Sequence, residues 1–230
     1  MIEKVFATPD AALHDITDGA TIMFGGFVSA GSPSNLILAL QRRGTTRITG
    51  IANNIGLGDL LDVLCEQRQI AKFIATFAIR ASGDRASRFE EQYRRGEVEL
   101  ELVPQGTFVE RIRAGGAGLG GVLTRTGLGT VVQEGKQVVA VEGVDYLLEL
   151  PLRADFALIK AYRADRLGNL QYRQAGRNFN PIMATAADIV IAEVEEIVET
   201  GDIDPEDVGT PAVYVDRIVR CDAVPARWEG

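Results

Sequence analysis

The sequence predicts an α/β protein built on a mostly parallel sheet with helices on both faces. Short apolar segments of strand length alternate with helical segments along the chain, which is typical of parallel sheets covered by helices. The 25 glycines are clustered in loops between these segments rather than spread evenly. The 230 residues, 46% of them hydrophobic, are enough to bury a closed core. Because no repeat or linker interrupts the pattern, we expect one domain over residues 1–230.

Helix caps and apolar runs predict the elements of the N-terminal half. Thr8-Pro9 is typical of an N-cap followed by the first helical residue, and this short helix is expected to end near Asp18-Gly19. Residues 21–24 (TIMF) predict a buried strand, and a second helix is expected from Ser32-Pro33 to Gly44. Further strands are predicted at 47–52, 70–76 and 98–103, and further helices at 59–66 and 85–95.

The C-terminal half continues the alternation of strands and helices. A hairpin-like pair is predicted around 137–148, followed by an apolar strand at 156–160. Asn180-Pro181 predicts the cap of another helix, and residues 189–192 predict a strand.

Charge and cysteine content exclude several classes of function. With 24 Lys and Arg against 32 Asp and Glu, the net charge is −8, and an acidic chain does not favour generic nucleic-acid binding. No run of eighteen apolar residues and no apolar signal-peptide core are present, so we expect a cytoplasmic protein that does not enter a membrane. Cys65 and Cys221 lack the spacing of metal ligands, so neither a metal site nor a disulfide framework is expected.

The single histidine limits the chemistry that this chain can perform. His14 lies in a polar segment and is expected to be an ordinary surface residue. One histidine cannot supply a multi-histidine metal site, and its position does not favour a Ser-His-Asp triad or a Cys-His pair. Any reaction must therefore use carboxylates, backbone amides, glutamine or asparagine side chains, or groups of another chain.

Two motifs could carry chemistry. A glycine-rich turn follows the strand at 21–24 and precedes a helix, where backbone N–H groups and the helix N-terminus can receive an anion, although a plain turn is equally expected. Gln105 follows the strand at 98–103 and could donate its amide N–H to an oxyanion. The alternative, which the motif alone favours, is a turn in which Thr107 caps a helix over 108–114 and Glu110 completes a capping box.

Two other groups of residues have a structural and a functional interpretation. Glu134, in the loop GLGTVVQEG, could be a nucleophile or base, but a solvated turn carboxylate is favoured. The segment Arg177–Pro181 could place an arginine near an anionic substrate or simply cap the next helix. Neither interpretation is favoured over the other.

Five segments, in order, resemble the A (alpha) subunit of family I CoA-transferases, the 3-oxoacid CoA-transferase group. They are DGATIMFGGFVSAGSPSNLI, VPQGTFVERIRAGGAGLGG, TGLGTVVQEGK, LPLRADFALIKAYRADRLGNLQY and AGRNFNP. The resemblance runs from about residue 4 to 219. It implies the CoA-transferase (NagB/RpiA-like) architecture, coenzyme A as a co-substrate and no permanently bound cofactor. The stretch AGLGGVLTRTGLGT is similar to the acetoacetate type, while YRQAGRNFNPIM is similar to the 3-oxoadipate type.

The resemblance also implies a ping-pong mechanism and a set of site residues. In this family the acyl-CoA thioester is attacked by a glutamate that lies in a Ser-Glu-Asn-Gly motif of the B subunit. That motif does not occur here, so a B subunit is expected to supply the nucleophile in an αβ or α2β2 complex. By resemblance, Gln105 lies near the thioester oxyanion, and Asn53 and Asn54 lie near the cleft. Seven loop residues are expected to border the CoA-binding cleft: Gly25, Gly26, Phe27, Val28, Ser29, Ala30 and Gly31. Arg125 stands where relatives have proline, with no role assigned.

Two other functions are compatible with the same fold. One is a non-catalytic domain that binds CoA or a sugar phosphate without a partner. The other is a sugar-phosphate isomerase that uses its own carboxylates and a lysine, which is disfavoured because no lysine lies in a glycine loop.

Overall fold

The computed structural model describes residues 3–56, 59–79 and 86–222 as a nine-stranded sheet, a three-stranded sheet and the helices that pack on them. The strands are β1 Val5–Phe6, β2 Thr21–Phe24, β3 Ile48–Ile51, β4 Ile70–Ala75, β5 Glu99–Leu102, β6 Val122–Thr124, β7 Val138–Val141, β8 Val144–Glu149, β9 Ala154–Asp165, β10 Leu170–Gln171, β11 Ala187–Val198 and β12 Arg217–Arg220. The α-helices are α1 Pro9–Ala12, α2 Ser34–Arg43, α3 Arg88–Arg94, α4 Gln105–Gly116 and α5 Asn180–Ala184.

The large sheet changes direction of growth between β2 and β9. Its order is β1-β12-β11-β9-β2-β3-β4-β5, with β10 paired antiparallel to β9 and every other pair parallel. From β2 the chain adds β3, β4 and β5 on one side, and it later adds β9, β11 and β12 on the other. Such a switch opens a crevice at the carboxyl ends of the strands, which is where parallel sheets bind ligands.

Helices cover both faces of this sheet, as the alternation in the sequence predicted. On β2, Ile22 and Phe24 face a core shared with α1, α2 and α3. Met23 faces the opposite core, which contains Phe108 and Ile112 of α4 together with residues of α5. A strand with apolar side chains on both faces is stable only when both faces are buried, which is why these strands are continuous apolar runs. The predicted α/β class is confirmed.

The second sheet is small and antiparallel, in the order β6-β8-β7. It contains the predicted hairpin, since β7 pairs with β8 from Val138↔Leu147 to Val141↔Val144. Glu149 at the end of β8 is 1% exposed and bonds to Lys136, with N–O 2.6 Å. Arg111 of α4 donates to the carbonyl of Leu150, at 2.7 Å, and thereby holds α4 beside the end of β8.

The predicted caps at Thr8 and Gly44 are confirmed, and those at Thr107 and Asn180 are wrong. The start predicted for α2 at Ser32-Pro33 is shifted, since the helix begins at Ser34 with Pro33 as its N-cap. Thr8 accepts from the N–H of Ala11 as an N-cap, although α1 ends at Ala12 rather than near Asp18-Gly19. α2 ends at Gly44, whose φ of +72° provides the left-handed C-cap. The capping box at Thr107 is wrong: α4 begins at Gln105, immediately after Pro104, so Thr107 is buried inside the helix.

The other wrong cap is Asn180. It lies within α5, and its side chain contacts other segments instead of capping that helix. The helix predicted at 59–66 is a 3-10 helix over Leu60–Cys65, with Asp59 as its cap. The helix predicted at 85–95 is α3, capped by Ser87, and Arg85 lies outside the described residues.

The single histidine and the two cysteines lie in surroundings that are typical of structural residues. His14 is exposed and stacks on Phe6, with 6.3 Å between ring centroids. Cys65 and Cys221 are buried and free, and burial raises the pKa of both thiols, that of Cys221 to about 12. Within the described ranges, no group of three or more His, Cys, Asp or Glu could hold a metal ion, and no helix has the length and apolarity to cross a membrane.

Candidate functional site

The glycine-rich loop leaves β2 at the point where the sheet changes direction. The N–H of Gly25 donates to the carbonyl of Leu158 on β9, at 2.9 Å, so the loop begins in contact with the neighbouring strand. A Cβ at Gly25 would lie 1.8 Å from Asn180 Oδ1, so the close approach of Asn180 requires glycine there. Gly31 has a φ of +66° at the far end of the loop, where L residues are strained.

Val28, in the middle of this loop, adopts a backbone conformation that is rare for a β-branched residue. Its φ is +54°. The N–H of Val28 donates to Asn54 Oδ1 at 2.8 Å, and a bridge between Phe27 and Ala30 closes the turn around it. Backbone strain that surrounding contacts hold in place is concentrated at functional sites, which supports a functional role for this loop.

A chain of uncharged hydrogen bonds connects this loop with Gln105 across three strand ends. Gln105 Nε2 donates to Asn53 Oδ1 at 2.8 Å, and Asn53 Nδ2 donates to Asn54 Oδ1 at 3.0 Å. Asn54 Oδ1 is also the acceptor for Val28. Thr76, just after β4, donates its hydroxyl to Asn53 Oδ1 at 2.9 Å. We call Asn53, Asn54, Thr76 and Gln105 the amide network; it brings three of the sequence-predicted residues together with the loop.

Gln105 has the exposure and the hydrogen-bonding capacity to interact with a ligand. Asn53 and Asn54 are 1% and 4% exposed, whereas Gln105 is exposed at the start of α4. One amide hydrogen of Gln105 is directed to Asn53, which orients the side chain and leaves the second hydrogen for a ligand. The carboxylate of Asp59 accepts from Asn54 Nδ2 at 2.8 Å and fixes the opposite end of the network.

Two asparagines that the sequence analysis did not assign to the site hold the glycine loop in place. Asn180 Nδ2 donates to the carbonyls of Gly31 and Gly176, at 3.0 and 2.8 Å, while its Oδ1 accepts from the N–H of Lys160 at 2.9 Å. Asn178 Nδ2 donates to the carbonyl of Ala30 at 2.9 Å. Both lie in the quoted segment AGRNFNP, where helix capping was the structural interpretation considered for them.

The N-terminus of α2 already has an anion of the protein itself. Glu193 of β11, 1% exposed, accepts from the N–H groups of Asn35 and Leu36 at 2.7 and 3.1 Å. Its other oxygen accepts from Lys160 Nζ at 3.2 Å. This helix end does receive an anion, as expected. The anion is the carboxylate of a residue on a distant strand, however, and not a ligand.

Three residues of uncertain role lie apart from the amide network. Glu134 is an exposed turn residue after the short helix Val131–Gln133, in agreement with the favoured structural interpretation. Arg125 is exposed directly after β6 of the small sheet. Arg177 is exposed and lies beside Gly209, 3.5 Å from the position of a Cβ there.

Comparison with known proteins gives a consistent result across the chain. The coenzyme A transferase family model matches residues 6–220. The A component of a 3-oxoadipate CoA-transferase of Acinetobacter baylyi is 48% identical, over 98% of this chain and 98% of its own. The A component of a succinyl-CoA:3-ketoacid coenzyme A transferase of Xanthomonas campestris is 49% identical, over 94% and 88%. The alpha component of an acetate CoA-transferase of Escherichia coli is 48% identical, over 88% and 90%.

A solved structure shows the same fold at lower sequence identity. The acyl-CoA transferase of Escherichia coli O157:H7, in a thioester complex with CoA, superposes on 98% of this chain with a TM-score of 0.84 at 20% identity. The present chain spans 48% of that longer chain.

Proposed function

The chain belongs to the coenzyme A transferase family, and from this premise we propose that it is the A (alpha) subunit of a heteromeric 3-oxoacid CoA-transferase. The complex moves CoA from an acyl-CoA donor, such as succinyl-CoA or acetyl-CoA, to a 3-oxo acid, such as acetoacetate or 3-oxoadipate. Coenzyme A is a co-substrate and no cofactor is permanently bound. Residues 1–230 act as one domain. Two buried free thiols fit a reducing compartment, so the cytoplasm is the proposed location.

The observation that carries this proposal is the exposed, oriented amide of Gln105 at the carboxyl edge of the sheet. Attack on a thioester carbonyl places negative charge on its oxygen, and a donor already fixed in position stabilises that charge without reorganising. Asn53 provides the fixing hydrogen bond, and the strained loop around Val28 borders the same edge. All four members of the amide network are uncharged, so their hydrogen bonding does not depend on a titration near neutral pH.

The reaction itself uses a glutamate of the B subunit. Its carboxylate attacks the acyl-CoA carbonyl and expels CoA thiolate, which leaves an acyl-glutamyl anhydride. The thiolate attacks the glutamyl carbonyl, releases the first acid as its carboxylate and forms a glutamyl-CoA thioester. The acceptor carboxylate attacks that thioester and expels the thiolate again. The thiolate then attacks the acceptor's acyl carbon, which forms the new acyl-CoA and regenerates the glutamate.

The assignment of the nucleophile to the B subunit agrees with the charges around the amide network. Asp59, the carboxylate that contacts it, accepts hydrogen bonds from Asn54 and from the N–H of Leu61. A carboxylate held by these donors is a poor nucleophile because attack would break its hydrogen bonds. Phe27 and Phe77, 42% and 50% exposed, border the network with apolar surface that a permanent partner would cover. Obligate interfaces bury about 2,000 Å² or more, and the complex is αβ or α2β2.

Mass spectrometry of the purified complex tests the proposal. The chain is co-expressed with the B subunit of its own organism, its native mass is measured, and the complex is incubated with acyl-CoA. We expect a stable complex of two kinds of chain and an adduct of CoA less one water on the B subunit. Finding the adduct on this chain instead would contradict the assignment of the nucleophile. A chain that stays alone and binds CoA without transferring it would be the non-catalytic domain considered above.

A further inference from the structure

A second feature lies on the β9 side of the glycine loop, away from the amide network. It is a cavity of about 280 Å³, lined by loop residues 29–32, Lys160 and Tyr162 of β9, Arg173, and Glu193 and Glu195 of β11. Binding sites for drug-sized ligands occupy about 300–1,000 Å³. The volume therefore suits a short acid better than the nucleotide portion of CoA.

Most of the charge in this cavity is already matched. Lys160 Nζ lies 3.2 Å from Glu193 Oε1 and 3.9 Å from Glu195 Oε1. Glu193 is further occupied by the N–H groups at the start of α2. Lys160 is already paired with carboxylates and Glu193 is itself anionic, so neither offers an unpaired positive charge to an anionic ligand.

Arg173 differs from these residues because no described carboxylate lies within ion-pair distance of it. It is exposed, and its Cζ lies 4.4 Å from the ring centroid of Tyr162, which orients the planar guanidinium. Arg163 also contacts Tyr162, at 5.0 Å, but bonds to Glu196 with N–O 2.6 Å. Gln174, next to Arg173, has a φ of +51°, so the turn that presents the arginine is strained.

We propose that Arg173 binds the second carboxylate of a dicarboxylic substrate and thereby selects dicarboxylic over monocarboxylic acids. This inference rests on the proposed function. The glycine loop connects the two halves of the site, since Val28 contacts the amide network while residues 29–32 line the cavity. In this proposal the reacting carboxyl group lies on the Gln105 side of the glycine loop and the other carboxylate lies at the guanidinium of Arg173, whose paired N–H groups match a carboxylate.

Steady-state kinetics of the enzyme reconstituted from both subunits test the assignment. In a ping-pong reaction, kcat/KM for an acceptor reports only the half-reaction of that acceptor, so one acyl-CoA donor serves both measurements. We expect Arg173→Gln to lower kcat/KM for 3-oxoadipate by about 10- to 100-fold, the value of a hydrogen bond between charged groups, and to leave acetoacetate unchanged. Arg173→Lys should restore part of the loss. Arg177→Gln is the matched control, since Arg177 is exposed in the same turn but does not line the cavity.

The other outcomes contradict the inference. An equal loss with both acceptors would assign Arg173 to the phosphates of CoA or to folding, and no loss with either would remove it from the site. A wild-type enzyme that accepts only acetoacetate would also overturn the inference while leaving the proposed function intact. A wild-type complex that transfers no CoA to any acceptor is the separate result that would reject the proposed function.

Discussion

The two sides of the glycine loop differ in the kind of polar group that they present. On the β3–β5 side, the amide network is built from neutral side chains, and a single amide hydrogen of Gln105 is left for a ligand. On the β9–β11 side, Lys160, Glu193 and Arg173 are charged, and two of the three neutralise each other. One loop separates the two environments, with Val28 contacting the first and Ser29 lining the second.

Under the proposed roles of Gln105 and Arg173, this difference separates reaction from recognition. Charge that develops only in a transition state is best met by fixed neutral dipoles, which do not bind the ground state too tightly. A permanent charge on a substrate is best met by a permanent opposite charge that is already oriented. Four predictions test this comparison, in order of expected effect.

The largest effect is expected on the charged side, from removing the charge of Glu193. Glu193→Gln leaves Lys160, 12% exposed, without its nearest carboxylate and weakens the anchor of α2. Breaking a buried ion pair costs about 3–5 kcal/mol because the remaining charge is uncompensated. Urea denaturation measures the loss, and Lys160→Met combined with Glu193→Gln should recover part of it.

The control for this pair is a neighbouring ion pair on the same two strands. Glu196→Gln removes the partner of Arg163, but both side chains are more than a third exposed. We expect a change in the free energy of unfolding below about 1 kcal/mol. Equal losses in the free energy of unfolding for the two variants would mean that the buried ion pair stabilises the fold no more than the exposed one.

On the neutral side, Gln105→Ala should affect the rate rather than the stability. Loss of one oriented donor costs about 10²-fold in kcat, and the loss should be equal for 3-oxoadipate and acetoacetate because both pass through the same oxyanion. Gln105→Glu should fail similarly, since a carboxylate cannot donate to Asn53 Oδ1. Gln67→Ala, at an exposed glutamine elsewhere, is the control. An unchanged kcat would end the role proposed for Gln105.

Substitution of Gly25, the first glycine of the loop, tests whether Asn180 constrains the loop between the two sides. The Cβ introduced by Gly25→Ala would overlap Asn180 Oδ1 and push Asn180 away from Lys160 and Gly31. We expect the free energy of unfolding to fall by about 1–3 kcal/mol. Gly106→Ala in α4 is matched, because nothing apart from its chain neighbours and the nearby helix backbone lies within 4 Å of its Cβ position, and it should be neutral or slightly stabilising. Equal effects would show that Asn180 does not constrain the loop.

The sequence predicted the neutral side of the site better than the charged side. Gln105 and the glycine loop could be found because each follows the carboxyl end of a predicted strand, and ligands bind at such positions in parallel sheets. The contacts that join Gln105 to Val28 depend on which strands are neighbours, and that order is not encoded in local patterns. Asn53 and Asn54 came from the resemblance alone, while the structure places them at the centre of the network.

The charged side was missed because its residues are distant in sequence. Glu193 is 158 residues from Asn35, and nothing local indicates that a strand carboxylate will cap that helix. Thr107 and Asn180 were misread for a related reason. Both match cap patterns, but Pro104 starts α4 earlier, and the side chain of Asn180 finds backbone partners on β9 and the glycine loop. Local propensity predicted the elements, while long-range contacts determined the roles of these side chains.

The smallest effect is expected from removing the charge of Glu101, which lies on the β3–β5 side of the loop but away from Gln105. Arg111, six residues along α4, bonds to Glu101 of β5 with N–O 2.7 Å. Burial raises the pKa of Glu101, but the hydrogen bond and positive charge of Arg111, together with Lys72, outweigh burial and hold that pKa below its ordinary value of 4.5. A lowered carboxyl pKa stabilises the fold above the ordinary value, and the gain disappears as pH falls through the lowered pKa.

Replacing Glu101 by glutamine should therefore have a small and pH-dependent effect on stability. We expect Glu101→Gln to reduce the free energy of unfolding at pH 7 by under about 1 kcal/mol, since a third of the side chain is exposed, and by progressively less under acid conditions. Urea denaturation between neutral pH and the acid range below 4.5 measures this, with Glu110→Gln on the outer face of α4 as control. A difference that is constant with pH would assign the effect to packing, and a change in kcat would show that charge on this side reaches Gln105.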